Sequence, residues 1–210
     1  MSVNQAKVND AITRIAKISL TRWGTDKYFR IYDYLINYLV LVYPKSEIVK
    51  RLGILLPAIS DARYLMRFGG IPETMYYHMF SNGWLDYAQN YSMLIYYPFE
   101  HIYWLSVKKV LQLKDTTTGF FGIWMCRGWL VYIVLDLYRN YLAYKKGPLE
   151  KNSKADIIRN TGDFIMCAHW STYTGLISEK NCRIAGIISS VAGIYQHWIK
   201  HAPPKEIKKE

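Results

Sequence analysis

The stretch KSEIVKRLGILLPAISDARYLMRF, residues 45–68, decides how this chain is read. Its apolar residues Ile48, Leu52, Leu55, Ile59, Ala62 and Met66 recur at alternating intervals of four and three, which lines them along one face of an α-helix. Val49, Leu56 and Leu65 widen that face, while Lys45, Lys50, Arg51, Arg63 and Arg67 form a cationic side opposed only by Glu47 and Asp61. Pro57 falls inside the pattern, where its missing N–H and its ring kink the helix or split it in two. Phe68-Gly69-Gly70 is the stop. A helix of this kind either packs its apolar face on a core or lies in a membrane interface. In the second case the apolar face enters the acyl boundary and the bases meet anionic headgroups.

Upstream, Pro44 ends a helix expected over 26–43, whose polar residues Asp26, Arg30, Asp33 and Asn37 make one narrow stripe on an otherwise apolar and aromatic surface. Such a helix is buried or touches a membrane. Before it, Val8 to Arg22 has helical periodicity at Val8, Ile12, Ile15 and Ile18, with Gly24 as the expected break and Thr25 or Asp26 as the next cap. Downstream, residues 72–110 are aromatic and helical in pattern, interrupted near Ser81-Asn82-Gly83 and at Pro98. After the polar break Asp115–Gly119 comes an apolar run, Phe120 to Tyr138, with Arg127 and Asp136 inside it. At about 1.5 Å per residue its length just crosses a hydrocarbon core of about 30 Å. Residues 139–160 read as a basic linker. The last apolar run, Ile184 to Ile199, carries Gly186, Ser189, Ser190 and Gly193 along one side, a small-residue face suited to close helix packing.

Composition agrees with this division. The 210 residues hold 51% hydrophobic and 16% aromatic side chains, and 27 Lys+Arg against 16 Asp+Glu give a formal charge of +11. So aromatic a chain is a poor nucleic-acid binder, and a mean hydropathy of −0.06 is too low for a transporter built of lipid-facing helices. What remains is a protein lying on or partly in a membrane. The polar N-terminus shows no secretory h-region, and Cys126, Cys167 and Cys182 are too few and too scattered for a disulfide framework.

Chemistry-bearing motifs are sparse. There is no phosphate loop, metalloprotease helix, calcium loop or nucleophile elbow. Glu100-His101 are adjacent and point apart on a helix, and Cys167 with His169 lacks a second pair of ligands. No catalytic residue, metal site or cofactor is expected. A membrane enzyme built on Glu100, His101 and Cys167 ranks behind a non-enzymatic role.

Four segments in order resemble the peroxisomal biogenesis factor eleven family. Gly24-Thr25-Asp26-Lys27 with Arg30, Tyr34 and Leu35 is similar to its first motif. Ser60 to Gly69 (SDARYLMRFG) resembles its Ala-Arg helix, Glu100 to Leu105 its acidic-His-x-x-Trp-Leu segment, and Gly186 to Trp198 its Gly/Ser-rich membrane segment. The resemblance implies a single all-α domain over 1–210, a membrane-associated helical bundle with amphipathic helices and one or two short transmembrane helices. Its parts are an amphipathic region 1–70, an aromatic helical region 71–118, a membrane span 119–138, a basic linker 139–183, a C-terminal membrane helix 184–199 and a tail 200–210. It further implies a protein of the membrane of the peroxisome, or of a derived organelle such as the glycosome, with both termini cytosolic. Elongation and fission of the organelle would follow from insertion of the basic amphipathic helix. The membrane-binding set is then Lys45, Lys50, Arg51, Leu52, Leu55, Ile59, Arg63, Met66 and Arg67, and Gly186, Ser189, Ser190 and Gly193 pack helices. Implied partners are an anionic phospholipid membrane, further copies of the chain, and a dynamin-related fission protein with its adaptor. Nucleic acid is not among them. The alternative is a pore for small metabolites, with Arg127, Asp136 and the Gly/Ser face beside a water-filled path.

Overall fold

The computed structural model describes residues 3–202, and every regular element among them is an α-helix. In chain order these are α1 (Val3–Ser19), α2 (Arg22–Val42), α3 (Glu47–Gly53), α4 (Leu56–Met66), α5 (Gly70–Met79), α6 (Trp84–Val107), α7 (Asp115–Lys146), α8 (Lys151–Trp170) and α9 (Glu179–Lys200). The tail expected from Pro203 onward, like Met1 and Ser2, lies outside the described residues.

Several boundaries differ from the sequence reading, each for a physical reason. The first break falls at Leu20–Thr21 instead of Gly24. Thr21 caps α2 by accepting a hydrogen bond from the Gly24 amide at 3.0 Å. Gly24 is needed for closeness rather than as a breaker, because a Cβ there would run into the Ile18 carbonyl and the Thr21 hydroxyl. Pro57 does split the basic stretch. It occupies the first turn of α4, where a missing N–H has no intrahelical partner to lose. By contrast, α6 runs unbroken through Pro98. There α6 packs against α7, and Phe99 beside the proline meets Phe121 at a ring distance of 5.3 Å. The expected linker 139–183 holds the last two turns of α7 and all of α8. Its charges read as a basic linker in sequence, but Asp156, Arg159 and Asp163 face partners within the bundle.

The helices close into a ring. α2 packs on α4 and α9, α9 on α8, α8 on α7, α7 on α6, and α6 returns to α4 through the thinnest joint of the circle. Outside it, α1 leans on α2 and α9, α3 on α2, and α5 on α6. A small apolar core of Tyr34, Met166, Cys182 and Ala185, flanked by Trp129 and Trp170, welds α2, α8 and α9.

Three helices of the ring bury polar side chains and show apolar ones outward. α2 buries Asp26 and Arg30 and exposes Tyr32, Leu35 and Leu41. α7 buries Asp136 and Asn140 and exposes Phe120, Trp124, Val131 and Val134. α9 buries Ser189 and Ser190 completely and shows Ile184, Ile188, Val191 and Tyr195 outward. A helix of a water-soluble bundle does the reverse. Among the described residues α7 is the one helix long and apolar enough to cross a membrane. Its 32 residues extend about 48 Å, more than the roughly 30 Å of a hydrocarbon core.

Candidate membrane interface and interior charge network

α3 and α4 carry the residues that sequence spacing assigned to the membrane, and the fold divides them into two groups. Lys45, Lys50 and Arg51 project outward, as do Ile48 (73% exposed), Ile54 (75%) and Leu55. Lys50 and Glu47, 3.6 Å apart and both well exposed, form a weak surface pair. Leu52, Ile59 and Met66 are half-buried beneath this surface. The outward bases and apolar side chains therefore cluster on α3 and on the turn that joins it to α4.

Arg63 and Arg67 were expected among the headgroup contacts, yet they turn into the bundle. Arg63 donates to Asp33 at 2.6 Å and to Asp26 at 3.2 Å, both on α2. Arg67 reaches Glu100 on α6 at 2.8 Å and lies 3.6 Å from Asp26. Burial pushes the Asp26 carboxyl up, but Arg63, Arg67, Lys27 and Arg30 outweigh it and hold the group at about 2. Glu100 is 1% exposed and also accepts from Tyr96. The reason for the inward turn is electrostatic. Three carboxylates inside a ring with an apolar exterior need cations, and the face of α4 toward α2 and α6 supplies them.

The same logic recurs opposite. Arg30 of α2 pairs with Asp163 of α8, which also accepts from Ser189 of α9. Arg159 bridges Asp136 at 3.0 Å and Asp156 at 2.6 Å, with Asn160 and Gln89 donating to Asp136. Gly186, Ser189, Ser190 and Gly193 lie on the face that α9 turns toward α2 and α8. These small residues let Tyr34 and Lys27 come close. Sequence reading singled out the α2 stripe and the α9 small residues but not their partners on α8. The signal was present: Asp156, Asn160 and Asp163 are spaced four and three apart, like the stripe they answer. It also passed over α5, which exposes Met75, Tyr76, Met79 and Phe80 while Glu73 turns back to Arg22 and Trp23.

The remaining polar candidates make local contacts. His101 stacks on Phe68 with ring centroids 4.3 Å apart. His169 accepts from the Leu176 and Ile177 amides through Nδ1, so Nε2 carries the proton toward Glu179 at 3.1 Å. Cys167 is fully buried. Arg127 lies over the Trp124 ring and donates to the Ser171 carbonyl. The charge network and aromatic side chains line a cavity of about 1000 Å³ that opens to the surface.

Comparisons with known proteins bear on the whole arrangement. No solved structure matches the chain. An uncharacterized protein of Schizosaccharomyces pombe is 22% identical over 138 residues, which cover 65% of this chain and 71% of that protein. Residues 12–154 match the model of the family described as peroxisomal biogenesis factor 11, a span that includes the α2 stripe, both halves of the basic amphipathic element and all of α7. The chain belongs to the peroxisomal biogenesis factor 11 family, which ties it to the peroxisome and to proliferation of that organelle.

Proposed function

We propose that this protein shapes the peroxisomal membrane by laying α3 and its joint to α4 into one leaflet while α7 anchors the bundle. The observation that carries the reading is the outward cluster of Lys45, Lys50 and Arg51 beside Ile48, Ile54 and Leu55. Each base near an anionic surface contributes roughly 1 kcal/mol, and shallow burial of the three apolar side chains adds to it. A wedge at that depth expands one leaflet and favours curvature, with no bond made or broken. Self-association and recruitment of a dynamin-related protein through its adaptor complete the route from a curved membrane to fission. With both termini on the cytosolic side, the wedge acts on the leaflet where that machinery assembles.

The test uses the full chain with phosphatidylcholine liposomes containing phosphatidylserine. Binding and tubulation are expected for the unchanged protein, and loss of both for Lys45→Glu with Lys50→Glu and Arg51→Glu. Equal tubulation by the two proteins would sink the mechanism.

A further inference from the structure

The interior of the ring holds more cationic capacity than its own carboxylates use. Lys27 projects from α2 among Arg30, Arg159, Asp26 and Asp163, yet it makes no hydrogen bond or ion pair among the described residues. Its stem rests against Gly193 of α9, where an added Cβ would meet Lys27 Cδ and Cε at 3.2 Å. Arg30 is 3% exposed and spends one guanidinium nitrogen on Asp163 and Ser189, but its Nε is buried with no acceptor. Both cations line the cavity of about 1000 Å³, at the upper end of the size range of small-molecule sites. The wall beside them is aromatic. Tyr34 and Trp129 each lie 5.5 Å from the Arg30 guanidinium, and Trp170 stacks on Tyr34 at 6.3 Å.

We propose that this cavity binds an organic anion with an apolar body, its carboxylate or phosphate seated against the Lys27 ammonium, its body against Tyr34, Trp129 and Trp170. The anion gives the Lys27 ammonium the partner it lacks, and the aromatic wall selects against small inorganic ions. The site lies inside the ring and shares no residue with the outward α3 cluster, so it stands or falls independently of membrane shaping.

The full chain in phosphatidylcholine nanodiscs is titrated calorimetrically with 2-naphthoate and with the uncharged 2-naphthamide. A charge-assisted hydrogen bond is worth about tenfold or more in affinity, so saturable naphthoate binding is expected, with naphthamide weaker by about that factor. Lys27→Met should weaken naphthoate binding about tenfold and Lys27→Arg should restore most of it. Equal affinity for the two ligands, no saturable heat, or an unchanged Lys27→Met titration overturns the site. A measurement on the unmutated chain covers the case in which the variant does not fold. Acetylation of Lys27 at about pH 8, followed by mass spectrometry, should slow several-fold under saturating naphthoate while Lys45 and Lys50 are unaffected. Absence of protection also overturns it. Repeating the titration with phosphatidic acid in the nanodisc assigns the source. Competition identifies the natural anion as a lipid reached from the bilayer, and unchanged affinity identifies a free metabolite; either supports the site.

Discussion

Arg67, the C-cap of α4, and Glu100 of α6 meet in a two-pronged ion pair at 2.8 and 2.9 Å, at the thinnest joint of the helical ring. Little backbone packing holds that joint, so side chains close it. The pair is reinforced by Lys108 and Trp104 on Asp61, and by the ring of His101 on Phe68. Glu100→Gln leaves Arg67 with Asp26 alone at 3.6 Å. Breaking one side of a buried pair costs roughly 3 kcal/mol or more. Thermal unfolding in detergent should show a clear loss for Glu100→Gln, and a smaller loss than the sum of the singles for Arg67→Met with Glu100→Gln. An unchanged melting curve for the single variant would mean the joint is held by something else.

The inward turn of Arg63 and Arg67 changes which charge reversals inform on lipid binding. Arg63→Glu with Arg67→Glu sets new carboxylates against Asp26, Asp33 and Glu100, so the chain should misfold before any membrane is met. Lys45→Glu with Lys50→Glu and Arg51→Glu touches exposed side chains only and should leave the melting curve within about 1 kcal/mol of the original. Circular dichroism melts of the two sets check this directly. A stable Arg63→Glu, Arg67→Glu protein would contradict the buried network.

The contrast shows what the sequence made legible. Periodicity located the basic amphipathic stretch, its split at Pro57 and the apolar run within α7, because each is a local pattern. Whether a polar stripe faces water or an interior is not local. On α2 the residues Asp26, Arg30 and Asp33 look alike in either case, and only α4 and α8 arriving with Arg63 and Asp163 decide it. Charge alone misassigned α8 as a linker for the same reason. On α2 the charged stripe marks the side that faces the bundle. The small residues of α9 stood out in the sequence, but the Tyr34 and Lys27 side chains beside them did not, since these lie more than a hundred residues away.

Close approach along α9 gives a graded prediction. Across the α8–α9 interface, a Cβ on Gly162 would lie 2.7 Å from the Ala185 carbonyl oxygen, a backbone atom that cannot step aside. A Cβ on Gly193 would press on the flexible stem of Lys27 at 3.2 Å and make an ordinary contact with Arg159 at 3.8 Å. Gly162→Ala should therefore destabilise by about 1–3 kcal/mol, while Gly193→Ala shifts Lys27 at little cost. Equal melting temperatures for the two variants would show that α8 and α9 are not in this register.

Lys27 supplies the test with an unusual sign in pH. Burial lowers the affinity of its amine for a proton, Arg30 lowers it further, and Asp163 and Asp26 offset only part, leaving it at about 8 against an ordinary 10.5. Between those values the unfolded chain holds a proton that the folded chain has released, so stability rises with pH across this window. Below about 8 the full penalty of a charged, unpaired ammonium is carried. Asp26 behaves oppositely: held at about 2, it contributes stability above its unfolded value that is lost as pH falls through the folded one. Other lysines and tyrosines titrate in the alkaline range as well, so the informative quantity is the difference between the wild-type chain and Lys27→Met. At neutral pH the variant should be the more stable by roughly 1–3 kcal/mol, and the gap should close as pH approaches 10.5. Denaturant titrations at a series of pH values check it. A gap that stays constant across the window would mean that Lys27 is charged and satisfied in the folded chain, and an organic anion bound in the cavity should produce that same flattening.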